Sequence, residues 1–137
     1  MWSGRAGSPV SERVMDRAGR GEWTEPGAFE VAPGVHRLPL PLPMDGLRAV
    51  NVYVVETEDG LVLIDGGWAI PESRKVLESS LRRLGYTFRD IRRFLVTHMH
   101  RDHYTQACVI GADICFCIYQ VRNSAIIKTC RCCLRVC

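Results

Sequence analysis

The chain has 137 residues, 47% of them hydrophobic, which is enough for one small domain with a core. Its formal charge is +3, from 18 Lys and Arg against 15 Asp and Glu. A balance that mild excludes the strongly basic class of proteins, so neither a nucleic-acid partner nor a membrane surface is expected.

Residues 1–30 are rich in Gly, Arg, Ser and Glu and show no apolar periodicity. They are expected to form a disordered leader. No apolar run follows the early charges, so the leader does not read as a secretory signal, and a cytoplasmic location is expected. Glu12, Asp16, Glu22 and Glu25 argue against an organelle transit peptide, and Met15 is a second candidate start.

Order is expected from Val31. Val35–Leu38 reads as a short strand, and PLPLP at 39–43 holds the chain extended at a sheet edge. Met44–Gly46 is a turn. Ala49–Val55 (AVNVYVV) is rich in β-branched and aromatic residues and reads as a strand. Thr57–Gly60 (TEDG) is a hairpin turn, and Leu61–Ile64 is the apolar run of a strand buried on both faces. Asp65 follows at its carboxyl end.

A helix is predicted from Pro71 to Leu84. Pro71 suits its first turn, and Glu72 meets the positive end of the helix dipole. Val76, Leu77, Leu81 and Leu84 recur at helical spacing and form the face laid on the sheet. Arg82 and Arg83 read as a solvated last turn, stopped by Gly85. With a strand at Phe94–Val96, residues 61–96 make a βαβ unit of an α/β fold. Asp65 and the residues after Val96 then share one sheet edge, where sites in such sheets gather.

The segment after Val96 is THMHRDH. Three of the four histidines, His98, His100 and His103, fall here with Asp102. Residues two apart in an extended segment share a face, so His98 and His100 point together. The turn that follows brings Asp102 and His103 back to them. Imidazole nitrogens with a carboxylate oxygen suit Zn²⁺, and such an ion lowers the pKa of its water towards neutrality. A single histidine beside a strand is usually only a hydrogen-bonded core or surface residue, but three histidines with an aspartate are poorly explained that way. His36, the fourth histidine, lies on an early segment and is not expected to join. Asp65-Gly66-Gly67 reads, from the residues alone, either as a plain turn or as a support for the metal loop.

After Ala107 the composition changes. All seven cysteines lie between Cys108 and Cys137, and the chain ends in TCRCCLRVC. Residues 108–137 are therefore expected to be a Cys-rich tail of non-homologous sequence, from a frameshift or read-through. Cys130, Cys132, Cys133 and Cys137 lack the paired spacings of structural zinc modules. An incidental thiol cluster and a redox or metal-sequestering tail are the alternatives. Val109–Val121 is too short to span a bilayer and contains Asp113.

THMHRDH resembles the HxHxDH signature of the metallo-β-lactamase-fold hydrolases, and LIDGG at 63–67 resembles that family's upstream aspartate motif. The resemblance covers Val31–Ala107. It implies an αββα sandwich of which residues 31–107 are the N-terminal half. It also implies a zinc-dependent hydrolase, in which metal-bound hydroxide attacks an acyl or phosphoryl centre of a small molecule. His98 and His100 would bind the first of two Zn²⁺ ions, and Asp102 and His103 the second. Asp102 would be catalytic, orienting the nucleophile, and Asp65 would hold the metal loop by hydrogen bonds. Thioesters, lactones, lactams, phosphodiesters and sulfur oxidation all occur among relatives, and fold analogy does not choose between them.

The family takes a further histidine for each ion and a bridging aspartate from its later half, and the chain offers no match to these. The resemblance thus implies a truncated chain, weakly active or inactive alone and binding one zinc or none. Cys108 is near enough in sequence to be a candidate thiolate ligand. The alternative is a non-catalytic protein that binds one metal weakly or not at all. A front half alone is also expected to leave Val50, Val52, Val54, Leu61 and Leu63 without cover, and so to self-associate through its sheet.

Overall fold

In the computed structural model, which describes residues 22–113, 117–122 and 125–130, alternating apolar residues build one seven-stranded sheet. Its strands are β1 (Phe29–Ala32), β2 (Val35–Pro41), β3 (Ala49–Thr57), β4 (Gly60–Ile64), β5 (Ile91–Val96), β6 (Cys117–Arg122) and β7 (Ala125–Cys130), and they lie side by side in chain order. β1 to β4 form an antiparallel meander. β4, β5 and β6 are parallel, and β7 returns antiparallel to β6. Helix α1 (Pro71–Arg83) joins β4 to β5, and α2 (Arg101–Asp113) joins β5 to β6. The expected leader up to residue 21 and the cysteine cluster from residue 131 lie outside the described residues.

The two βαβ crossovers step in the same direction across the sheet. Crossovers of one hand that step the same way place their helices on the same face. Leu77 and Leu81 of α1 and Ala107 and Ile110 of α2 accordingly join one core with Leu38, Leu40, Val52, Val54, Leu61, Leu63 and Phe94, all fully buried.

This arrangement corrects the expectation about which residues lack cover. Val50, Val52, Val54, Leu61 and Leu63 face the helices and are buried. The alternate positions Tyr53, Val55, Val62 and Ile64 are only half-buried, and Leu95 beside them is 40% exposed. β4 is thus sealed on one face rather than two. The register puts Tyr53, Ile64 and Leu95 in one row across the sheet, and Val55 and Val62 in the next, so the less covered face is a continuous apolar strip.

Other boundaries also move. Defined structure starts before Val31, with a 3₁₀ turn at Glu22–Thr24 and β1 from Phe29, whose ring lies under the Arg37 guanidinium. β2 extends to Pro41 instead of stopping at Leu38. Pro39 and Pro41 lie past the end of β1 in the register, on the outer edge of the strand, where a missing N–H breaks no ladder bond. The hairpin at Thr57–Gly60 forms as expected, with Gly60 at φ 129°.

α1 ends at Arg83, and its buried face includes Ser73 and Ser80 beside the two leucines, whereas Val76 and Leu84 are only half-buried. The Ser80 hydroxyl donates to the Gly27 carbonyl (3.3 Å), which satisfies this polar residue on the buried face. The compositional break after Ala107 is not a structural boundary. α2 runs through it, because Ala107 and Ile110 lie on the same helical face and both fill the core.

The difference between the two sheet faces is measurable. Leu81→Ala removes a fully buried side chain and is expected to cost about 2–5 kcal/mol. Leu95→Lys, on the open face, is expected to stay within about 0.5 kcal/mol of the parent. Urea unfolding of the two variants, followed by circular dichroism, checks the ordering; equal losses would mean the open face is covered.

Candidate metal centre

The carboxyl ends of β4 and β5 lie side by side, and their continuations carry the candidate site. Asp65 N–H donates to the Leu95 carbonyl (2.8 Å), extending the parallel pairing one residue beyond β4. The backbone then turns sharply, with Asp65 at φ 63° and Gly67 at φ 85°. Asp65 is among the side chains that tolerate this left-handed conformation best.

The turn is stitched to the first turns of α2. Gly66 N–H donates to the His103 carbonyl (2.7 Å), Gln106 N–H to the Gly67 carbonyl (3.1 Å), and the Gln106 side-chain amide to the Gly66 carbonyl (2.9 Å). Ala69 N–H donates to the Thr105 hydroxyl (2.9 Å). Gly66 leaves no room for a side chain, since a Cβ there would lie 2.9 Å from the Ala107 nitrogen and Cβ. These contacts set how far His103 stands from Asp65.

Asp65 is the buried centre of the cluster, its side chain 7% exposed. Its Oδ1 accepts from Thr97 N–H (2.8 Å), and its Oδ2 lies 2.8 Å from His103 Nδ1. The Thr97 hydroxyl lies within hydrogen-bond distance of both carboxylate oxygens. A carboxylate only accepts, so the His103 ring carries a proton on Nδ1, while its Nε2 faces Asp102. Asp65 therefore acts on the loop and on His103, and the support reading of LIDGG fits this geometry better than the plain turn does.

His98, His100, Asp102 and His103 come together at this edge. The His98 ring lies 4.5 Å from that of His100 and 4.0 Å from that of His103, centroid to centroid. The donor atoms fall into two pairs. His98 Nε2 is 3.1 Å from His100 Nδ1, and Asp102 Oδ2 is 3.3 Å from His103 Nε2. Two ligands on one tetrahedral zinc, each bonded at about 2.0–2.1 Å, stand roughly 3.3 Å apart. Each pair thus fits one edge of a zinc coordination sphere. Among the described residues, no group of three or more His, Cys, Asp or Glu side chains is arranged to hold a metal ion.

Two further candidates stay away. His36 is buried on β2, two strands away from β4 and opposite Val54, with its Nε2 3.1 Å from Glu56 Oε1. Cys108 follows His103 by five positions on α2, roughly 140° around the helix, and so does not share its face. Cys108, a candidate only by its nearness in sequence, forms no three-residue metal-holding group with the cluster among the described residues. Sequence reasoning missed Thr97, Thr105 and Gln106. Thr97 was legible as the residue flanking the motif, whereas nothing in the sequence marks the other two.

Comparison with known proteins follows this geometry. Residues 45–107 match the family model described as the metallo-beta-lactamase superfamily. A metallo-beta-lactamase family protein from Thermus thermophilus is 36% identical over 55% of this chain and 25% of its own, with a TM-score of 0.52. A beta-lactamase domain protein from Burkholderia ambifaria is 32% identical over 61% of this chain and 27% of its own, with a TM-score of 0.53. A subclass B3 metallo-beta-lactamase of Bradyrhizobium japonicum is 26% identical over 69% of this chain and 33% of its own, with a TM-score of 0.52. The chain spans between a quarter and a third of the length of these solved structures.

The close approach at Gly66 yields a prediction. Gly66→Ala forces α2 away from the turn and is expected to destabilise the protein by about 1–3 kcal/mol. Gly46→Ala, where an added Cβ meets nothing within 4 Å, serves as the control and is expected to be near neutral. Thermal and urea melts of both variants decide it, and a neutral Gly66→Ala would mean α2 is not held at this distance.

Proposed function

This chain carries metallo-beta-lactamase superfamily sequence and fold, and on that premise we propose that it is the metal-binding part of a zinc-dependent hydrolase. Its substrate would be a small molecule with an acyl or phosphoryl centre, such as a thioester, lactone, lactam or phosphodiester. The observation that carries the reading is the pairing of donor atoms, His98 Nε2 with His100 Nδ1 and Asp102 Oδ2 with His103 Nε2, at zinc-edge separations beside a buried Asp65.

In this reading, His98 and His100 would hold one ion, and Asp102 and His103 the other. Bound zinc supplies a Lewis acid and lowers the pKa of a water towards neutrality. The protein's part is to hold the ligands in place. Asp65 keeps the His103 proton on Nδ1 and the ring at a fixed distance from the sheet. Asp102, with its side chain 21% exposed, sets a carboxylate at the rim of the cluster, within reach of an entering water. There it would orient an attacking water. His98 and His100 are solvent-exposed, so a substrate approaches the cluster from the open end of the sheet.

Catalytic zinc normally has three protein ligands and an open position. The described residues offer each ion two donors, so the proposal is a chain that binds zinc but is, alone, weakly active or inactive. The absence of a three-donor group among the described residues favours a second reading, a non-catalytic protein that binds one metal weakly. Turnover separates the two.

Zinc titration of the full-length chain, with its cysteines blocked by iodoacetamide, is expected to show uptake weakened at least ~10-fold in a His98→Ala, His100→Ala double variant. Equal uptake would remove the assignment. Slow hydrolysis of any member of a thioester, lactone and phosphodiester panel, lost in Asp102→Ala, favours the hydrolase; zinc uptake without turnover favours the non-catalytic binder.

A further inference from the structure

The Thr97 hydroxyl touches two groups of the cluster at once, and its single proton can serve only one of them. Its oxygen lies 3.0 Å from Asp65 Oδ1, 2.8 Å from Asp65 Oδ2 and 3.0 Å from His98 Nδ1. We propose that Thr97 is a positioning residue that links His98 to Asp65 and so sets the His98 tautomer with Nε2 bare towards His100. The inference rests on the metal reading of the His98–His100 pair for its purpose, though not for its geometry.

A hydroxyl oxygen and a carboxylate oxygen at 2.8 Å need a proton between them, and a carboxylate has none to give. The Thr97 proton is therefore committed to Asp65. The contact with His98 must then run the other way, from an Nδ1–H on the imidazole to a lone pair on the hydroxyl oxygen. A neutral imidazole with its proton on Nδ1 has a bare Nε2. That Nε2 is the atom 3.1 Å from His100 Nδ1. The same carboxylate fixes His103 directly, through the 2.8 Å contact at Nδ1. One buried aspartate thus sets two ligand rings, one by contact and one through a hydroxyl. The Asp65 turn and the metal loop become a single hydrogen-bonded unit.

The hydroxyl separates cleanly from the rest of Thr97. The backbone N–H of Thr97 makes its own 2.8 Å bond to Asp65 Oδ1, and that bond survives any side-chain replacement. Thr97→Val keeps the branched shape and removes only the relay, and Thr97→Ser keeps the relay in a smaller side chain. A free histidine in water favours the proton on Nε2, so loss of the relay is expected to move His98 towards that form.

The test reads tautomers directly in the metal-free, full-length protein. Long-range ¹H–¹⁵N correlation spectra of histidine-labelled protein, recorded where the rings are neutral, are expected to show Nδ1–H at His98 and His103. In Thr97→Val, His98 should shift towards Nε2–H while His103 is unchanged, and Thr97→Ser should restore the parent pattern. Zinc affinity should fall by about 10-fold in Thr97→Val and recover in Thr97→Ser. An Nε2–H tautomer at His98 in the parent overturns the proposal whether or not the valine variant folds, and so does an unchanged His98 in a folded Thr97→Val. Should the parent show the expected tautomers yet take up no zinc, the metal reading fails while the Thr97 linkage stands.

Discussion

The site is organised around the buried carboxylate of Asp65. It occupies a left-handed backbone conformation, φ 63°, which costs of order 1 kcal/mol or more for a residue with a side chain. Hydrogen bonds from Thr97 N–H, the Thr97 hydroxyl and His103 Nδ1 offset that cost. They also make the turn after β4, the loop after β5 and the start of α2 one unit. Without this carboxylate, the Thr97 hydroxyl and the His103 ring would each lose a charged partner that fixes their orientation. The proposed metal site would need such a rigid anchor, because outer hydrogen bonds orient the imidazoles that hold an ion.

The handedness of the chain places this anchor and also determines what the fold leaves open. Both crossovers step the same way from β4 through β5 to β6, so both helices cover one face. The face they cover holds the core, and the carboxyl ends of β4 and β5 emerge together at one edge. The opposite face keeps Tyr53, Val55, Val62, Ile64 and Leu95 in a continuous, partly covered strip. Site and strip are two consequences of one topology.

How far the sequence revealed this depends on the residue. The histidine and aspartate cluster was legible because THMHRDH places three histidines and an aspartate within seven positions. Asp65 was legible as a turn residue at a strand end. The covered face was not, because β3 and β4 carry apolar residues on both sides and periodicity alone cannot rank them. Crossover handedness ranks them, and it becomes visible only once strand order is known. Ser73 and Ser80 are buried although the apolar repeat of the helix does not include them, because a serine's burial depends on partners elsewhere, here the Gly27 carbonyl for Ser80. The change of composition after Ala107 is real in the sequence, yet Ile110 lies beyond it, fully buried in the core.

We propose that the zinc-binding atoms of this chain are imidazole nitrogens and a carboxylate oxygen in the segment that follows β5 and opens α2, and not the thiolates that follow. X-ray absorption at the zinc edge, on the full-length chain loaded under reducing conditions, tests it most directly. The account predicts a first shell of nitrogen and oxygen at about 2.0–2.1 Å, with the outer-shell scattering of imidazole. A first shell dominated by sulfur at about 2.3 Å would contradict it.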